Sequence, residues 1–328
     1  MAEPFNIFAI IQAGRLEAEA LLFAMSFRAK NPDFSGRLLF LEPQNNHLWK
    51  DDPRVQNGDL REALIKLGAE ILPFENKVWG QNYAYGNKIE ALGALPKGEP
   101  FVFFDTDTYF KSSLDSVPFD FEKPTASRRV EGTWPKPTLY GPSIGEIWRS
   151  LYARFGLEFE SSLDLEFTED HWRRYLYFNA GFFFYKCPHV FGEKFLEIAR
   201  DIDRSQNEEL AAQSLRPWLD QVALPLVIHS LGGGRDSLPQ GLLDGSVTAH
   251  YRSMSLFYAT QNNETIAEME QLVSPNKFKK LLKLHEPFRR LIYQSKGKKI
   301  TELFDPNQLP LKEAVLRQKL KNHKLWMR

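Results

Sequence analysis

The stretch that most constrains this chain runs Phe101-Val102-Phe103-Phe104-Asp105-Thr106-Asp107-Thr108-Tyr109-Phe110. Four apolar residues lead directly into two carboxylates one residue apart. An apolar run of this length between polar segments reads as a strand buried on both faces. A carboxylate at the end of such a strand costs several kcal/mol unless a cation or hydrogen-bond donors compensate it. Two carboxylates therefore call for a partner, and a divalent metal ion serves both. Side chains two apart on an extended strand share a side, so Asp105 and Asp107 are expected to reach one ion together.

The chain has 328 residues, enough for one large core or two small ones. Phe supplies 26 of its aromatic residues, and such rings fill cores or line pockets for flat and sugar-like ligands. The single cysteine, Cys187, excludes an internal disulfide framework and a cysteine-based zinc site. It reads as a buried thiol at a strand end. The start, Met1-Ala2-Glu3-Pro4, lacks the basic-then-apolar order of a signal peptide, and no apolar run approaches transmembrane length. A cytoplasmic protein is the expectation, and nothing points to nucleic acid. The formal net charge is zero, but residues 275–328 hold 15 of the 42 Lys/Arg and only 4 of the 42 Asp/Glu. That leaves 27 basic against 38 acidic residues in 1–274 and marks the end of the chain as a basic segment with its own task.

The first hundred residues alternate short apolar strands with helices. Asn6–Gln12 reads as a strand, Glu17–Lys30 as a helix, Arg37–Leu41 as a strand, and Leu60–Leu67 as a helix capped by Asn57 or Asp59. Glu70–Phe74 is a third strand, and Asn87 opens a helix that ends at Pro96. This pattern predicts an α/β fold with a mostly parallel sheet flanked by helices. Ligands of such sheets bind beyond the carboxyl ends of strands, where Asp105 and Asp107 lie. From 118 to 175 prolines punctuate loops around one helix, Ile144–Phe155. Tyr175–Lys186 reads as a second buried strand, Pro188–Asp203 and Pro217–Leu226 as helices, and Val227–Leu231 and Val247–Tyr251 as strands.

In order along the chain stand the Asp105/Asp107 strand end, Asn179-Ala180-Gly181 inside a strand, Asp220-Gln221 in a helix and a late strand ending in His250. Asn87-Lys88 precedes them. This ordered set resembles the nucleotide-sugar-dependent glycosyltransferases of GT-A fold, and most closely the glycogenin-like and bacterial lipopolysaccharide galactosyltransferase-like group. The resemblance spans about residues 5–255. It implies a nucleotide-sugar-binding domain over 1–255, with 118–175 on the acceptor side, and a basic, mainly helical extension over 256–328. One departure is plain: the group's Gly/Lys-Pro-Trp ending after the late histidine is replaced by Arg252-Ser253-Met254.

The resemblance also implies roles. Asp105, Asp107 and His250 would hold Mn²⁺ or Mg²⁺, hard ions suited to oxygen-rich ligands, and Asp105 would also face the ribose. Gln12 and Ala13 would lie near the base, Lys88 near a phosphate, and Asn179, Ala180 and Gly181 towards the donor sugar. Asp220 and Gln221 would stand close to the reacting carbon. The donor would be a nucleotide sugar, with a UDP-sugar the first choice, and the acceptor a saccharide, lipid-linked or protein hydroxyl. Retention at the anomeric carbon is implied as well. Trp134, Trp148 and Trp172 are candidates for stacking on sugar, with core or subdomain packing the weightier reading of each. His171, His229 and His285 compete with His250 as metal ligand.

Other readings remain open from the residues alone. A haloacid-dehalogenase-type phosphatase also begins its site with a strand and Asp-x-Asp, but here Phe110 follows where that motif wants a small or β-branched residue. A nucleotidyltransferase would want a glycine-rich basic loop where Ala13-Gly14-Arg15-Leu16 stands. A non-catalytic sugar-nucleotide-binding protein would keep the same binding residues. In the tail, Lys277, Lys279, Lys280, Lys283, Arg289 and Arg290 interleave with apolar residues. That pattern fits either a basic amphipathic helix at an anionic membrane surface or a helix packed on the domain.

Overall fold

The computed structural model describes residues 4–128, 131–204 and 207–327; the start of the chain, Met1–Glu3, lies outside them. Its strands are Asn6–Ile10 (β1), Leu38–Pro43 (β2), Ala69–Phe74 (β3), Phe101–Phe104 (β4), Thr108–Phe110 (β5), Ala126–Arg128 (β6), Phe178–Tyr185 (β7) and Thr248–His250 (β8). Six form one sheet in the order β3-β2-β1-β4-β7-β6, and β5 with β8 form a separate two-stranded ribbon. The first four are mutually parallel, and β7 enters antiparallel to β4, with Phe103 opposite Phe183. The expected mostly parallel sheet is present.

β1, β2 and β4 are buried at every position, as both-sided helix cover requires. The period of two sorts their side chains into two cores. Ile7, Ala9, Val102 and Phe104 face one side, where Arg15–Lys30 (α1) packs with Leu21, Phe23 and Phe27. Phe8, Leu39, Phe101 and Phe103 face the other, against Pro188–Arg204 (the helix ending the strand β7 connection) and Leu219–Ser230. Phe103 stacks on Phe183 with ring centroids 4.6 Å apart.

Helix starts follow their caps. Gly58–Lys66 (α2) begins where the Asn57 side chain accepts from the Leu60 N–H at 3.1 Å, one of the two caps expected. Ile144–Arg154 begins at a reciprocal capping box of Ser143 and Glu146. The helix opened by Asn87 is shorter than expected. One α turn, Asn87–Glu90 (α3), passes into a 3₁₀ turn over Ala91–Ala94. We number the later helices α4 (Ile144–Arg154), α5 (Pro188–Arg204) and α6 (Leu219–Ser230).

Two expectations fail for identifiable reasons. Val227–Leu231 is no strand: α6 runs to Ser230 through Pro225. Because Val222 to Ile228 are buried on all sides, the run carries no period, and a buried helix then looks like a buried strand. The basic segment 277–291 is not one helix. It breaks after Asn276–Leu282 and resumes at Glu286, with a π turn over Arg289–Tyr293. Its apolar residues Phe278, Leu281, Leu282, Phe288 and Leu291 are buried in the core shared with α1.

After β8 the chain continues as Met254–Thr260 (α7), Asn263–Leu272 (α8), Asn276–Leu282 (α9), Glu286–Phe288 (α10), Lys296–Thr301 (α11) and Glu313–Asn322 (α12). These pack on the α1 side of the sheet, where Met269, Leu282, Leu291, Ile300 and Leu320 join one core with Phe23 and Phe27. Lys30 pairs with Glu268 at 2.9 Å across that junction. Cys187 is half-buried beyond β7, not fully enclosed. Among the described residues no helix is long and apolar enough to cross a membrane.

Candidate functional site

Asp105 and Asp107 lie in the tight turn between β4 and β5 rather than on a continuous strand. The turn is tied down on both sides. The Asp105 N–H donates to the Gly181 carbonyl at 2.8 Å, and the Asp107 carbonyl accepts from the Tyr251 N–H at 2.9 Å. The β5–β8 ribbon sets Thr108 opposite His250, so the imidazole arrives beside Asp107. Its Nε2 is 3.1 Å from Asp107 Oδ1 and 3.7 Å from Asp105 Oδ2. One ligand atom from each of the three residues lies within 4.8 Å of the other two, and this is the group of its kind found among the described residues.

The side chains are 28% (Asp105), 13% (Asp107) and 8% (His250) exposed, open enough to be reached yet poorly hydrated. Burial alone raises a carboxyl's pKa, and Asp105 does sit above its ordinary value, with Lys88 offsetting part of the rise. At Asp107 the same burial is outweighed by His250, and the carboxyl is held well below the usual carboxylate range. Burial lowers His250, but Asp107 beside it reverses the sign and raises it. Two carboxylates and an imidazole nitrogen are a donor set that a divalent ion of the Mn²⁺ type fits.

The Asn179-Ala180-Gly181 segment explains itself locally. Asn179 lines the cleft. Ala180 has φ +61, a left-handed conformation rare for a residue with a side chain, and its carbonyl accepts from Lys88 Nζ at 3.2 Å. A Cβ on Gly181 would sit 2.3 Å from His250 Nδ1, so glycine is what lets the imidazole lie against β7. Asn179 thus faces the cleft, while Ala180 and Gly181 lie beneath it and seat Lys88 and His250.

Lys88 is buried, 2.9 Å from Asp105 Oδ1 and 3.4 Å from Asp220 Oδ2. Burial lowers a lysine, yet Asp105 and then Asp220 more than reverse this, and its pKa is raised. It is a fixed cation between the aspartate turn and α6. Asp220 also accepts from the Tyr83 hydroxyl at 2.8 Å and donates its own N–H back to that oxygen at 2.9 Å. Gln221 Oε1 accepts from the Tyr177 hydroxyl at 2.9 Å. Gln12 accepts from Asn87 Nδ2 at 3.2 Å, and the Ala13 N–H donates to the Pro53 carbonyl at 2.8 Å.

These residues border one cleft of about 690 Å³ at the carboxyl ends of β1 and β4. Gln12, Ala13, Lys88, Asp105, Asp107, Asn179, Asp220, Gln221 and His250 all line it. The lining also holds residues that the sequence did not single out. Arg15 at the start of α1 bonds Glu19 at 2.6 Å and stands 3.7 Å from Asp107. Its proximity to Asp107 follows from the β1–α1 turn and had no motif to announce it. Glu19 is buried, and burial, with Asp107 adding to it, pushes its carboxyl well above the ordinary value. Arg252, Glu313 and Arg317 close the far rim, the last two from α12. Among the described lining residues carboxylates outnumber basic side chains by five to four.

The competing residues go elsewhere. His229 bonds Ser161 at 3.0 Å, His285 stands 3.4 Å from Glu17, and His171 stacks between Phe167 and Trp172. The chain holds a further Asp-x-Asp, Asp201 and Asp203, but it lies on α5, where Asp203 accepts from Trp79 Nε1. Trp134 and Trp148 offer nothing to a sugar. Both are buried and meet edge to face at 5.1 Å in the core. Trp172 is half-buried beside Gly132.

Comparison with known proteins follows this geometry. The model of the Rhodobacterales glycosyltransferase domain matches residues 7–232, more than half of the chain. Among solved structures, the chain is similar to the galactosyltransferase LgtC crystallised with donor and acceptor sugar analogs, at 13% identity over 70% of this chain and 72% of that one, TM-score 0.38. It is also similar to the bifunctional glycosyltransferase WbbM in its apo form, at 12% identity over 71% and 39%, TM-score 0.39. The glycosyltransferase GlyE of Streptococcus pneumoniae TIGR4 matches at 10% identity over 99% and 64%, TM-score 0.39. No curated protein matches by sequence. With a sheet of order β3-β2-β1-β4-β7-β6 and an Asp-x-Asp turn at its switch point, the architecture is of GT-A type, and the chain belongs to the Rhodobacterales glycosyltransferase domain family.

Proposed function

We propose that this chain is a divalent-metal-dependent glycosyltransferase that moves a sugar from a nucleoside diphosphate donor, a UDP-sugar in the first instance, to a hydroxyl acceptor. The observation that carries the reading is the convergence of Asp105, Asp107 and His250 within 4.8 Å on the wall of a 690 Å³ cleft. Mn²⁺ or Mg²⁺ held there would supply Lewis-acid stabilisation of the departing diphosphate.

The protein groups have distinct work in this reading. Lys88, locked by Asp105 and Asp220, fixes the geometry of both carboxylates and keeps the turn from opening. Asp220, held by Tyr83, presents its carboxylate towards the face where the sugar's anomeric carbon would lie. Tyr177 grips the oxygen end of Gln221 and so sets the orientation of its amide. Asn179 borders the sugar position, and Gln12 and Ala13 border the base. Residues 1–255 would bind the donor, 118–175 would form the acceptor side, and the extension 256–328 would brace α1 and the rim. Most apolar residues of 277–291 are spent on the core, with Leu284 left exposed, so any contact of that extension with an anionic surface would rest mainly on its lysines. The acceptor would be a saccharide, a lipid-linked sugar or a protein hydroxyl.

The test is release of nucleoside diphosphate from a panel of nucleotide sugars with Mn²⁺ and with a chelator. Turnover of at least one donor that the chelator abolishes is the expected result. Tight nucleotide binding with no turnover of any donor would favour a binding protein instead.

A further inference from the structure

The far rim of the cleft is built by a part of the chain more than 60 residues beyond His250. Glu313 and Arg317 of α12 face Arg252 there. Arg252 Nη1 lies 3.0 Å from Glu313 Oε2, and Arg317 Nε lies 2.6 Å from Glu313 Oε1. Two guanidinium groups thus converge on one anion at the rim, with Arg252 only two residues after His250. The Glu313 N–H is itself held by the Glu131 carboxylate.

The arrangement is fixed rather than incidental. α12 is anchored by the buried Leu316 and Leu320, and the chain after it by Ser255, whose hydroxyl donates to the Leu325 carbonyl at 2.7 Å. The Arg317 guanidinium rests over the Trp326 ring at 5.2 Å, which limits its rotamers. Arg252 has φ +57, a strained conformation for a residue with a side chain, and such strain persists where the surroundings enforce it.

Charge shows what the pair is for. Among the described lining residues carboxylates outnumber basic groups by five to four. Lys88 is committed to Asp105 and Asp220, and Arg15 to Glu19. A diphosphate entering this cleft meets one divalent ion and needs further neutralisation. The forked guanidinium is the side chain best matched to two phosphate oxygens at once, and among the described residues of the rim Arg252 and Arg317 share one carboxylate, Glu313.

We propose that Arg252 and Arg317 form a diphosphate clamp across the rim from the metal group, with Glu313 as the anion that keeps both guanidiniums converged until phosphate oxygens replace it. The inference rests on the donor reading above and adds residues from α12 to the donor site. It makes the basic C-terminal extension part of substrate binding.

The test uses the full-length chain and titrates inorganic pyrophosphate in the presence of Mg²⁺, a probe that needs neither base nor sugar. Mn²⁺ binding alone, followed by electron paramagnetic resonance, reports whether each variant keeps the metal group. Arg252→Gln and Arg317→Gln should each weaken pyrophosphate binding by about tenfold, the order expected for loss of one charge-assisted hydrogen-bonded contact, with Mn²⁺ binding intact. Glu313→Gln should tighten pyrophosphate binding, because the competing carboxylate is gone; a merely structural strut would not move in that direction. Unchanged binding in Arg317→Gln, or a loss in Glu313→Gln equal to that of the arginine variants, would overturn the clamp. Failure of the unsubstituted chain to bind pyrophosphate while it still binds Mn²⁺ would instead overturn the donor reading, and the clamp with it.

Discussion

His250 Nε2 stands 3.1 Å from Asp107 Oδ1 because a ribbon of two three-residue strands pairs Thr108 with His250. The relationship is made by register. A slip of one residue would turn the imidazole to the opposite face of the ribbon. The sites of the two partners are 143 positions apart in sequence and meet only through β5 and β8.

Gly181→Ala should therefore damage the metal group without touching a ligand. A Cβ there would lie 2.3 Å from His250 Nδ1, and the ring must move. Loss of ligand positioning typically costs about 10–100-fold in metal affinity. Mn²⁺ titration of the variant should show a loss of that order, with overpacking costing about 1–3 kcal/mol of stability. Unaltered Mn²⁺ affinity would mean that His250 does not ligate.

Lys88→Met should destabilise the chain. It leaves Asp105 and Asp220 buried without their cation, and breaking such a pair costs about 3–5 kcal/mol. Calorimetry should show a lowered melting temperature. Added Mn²⁺ should restore part of the loss, since a cation returns to Asp105. A melting temperature that falls without any response to Mn²⁺ would count against metal binding at Asp105.

Metal affinity should depend on pH in one direction. Asp107 raises the pKa of His250, so a proton occupies the imidazole nitrogen at pH values where a free histidine has already lost it. The ion needs that nitrogen deprotonated. Mn²⁺ affinity should therefore go on rising as pH climbs above about 6.5, where a free histidine is already largely neutral, and level off once His250 is neutral. A profile flat over that range would remove His250 from the ligand set.

Trp148→Ala should cost stability rather than sugar recognition. The indole is buried and meets Trp134 edge to face at 5.1 Å. Removing a buried aromatic side chain costs about 3–5 kcal/mol. Denaturant unfolding should show the loss, and the KM for the donor should remain as in the parent.

The aspartate turn could be read from the chain because it joins two strong local signals, a both-sided apolar strand and carboxylates that such a strand cannot bury alone. The cap at Asn57 is likewise local, and it stands where a helix begins. Val227–Leu231 misled because complete burial erases the period that separates helix from strand. Trp134 and Trp148 pack in the core, the weightier of the two readings left open by a sequence, which shows ring type and not depth. The rim formed by Glu313 and Arg317 had no local sign at all. It depends on the packing of six short helices against α1, and nothing in the residues around 313 states where that packing ends.

The central claim is that Asp105, Asp107 and His250 hold the ion that meets a nucleotide diphosphate. The most direct measurement is anomalous diffraction from a crystal soaked with Mn²⁺ and UDP. The account predicts a manganese peak bounded by the two aspartates and His250 Nε2, with the diphosphate between it and Arg252. A peak at any other place, or bound UDP with no manganese beside those three residues, would contradict it.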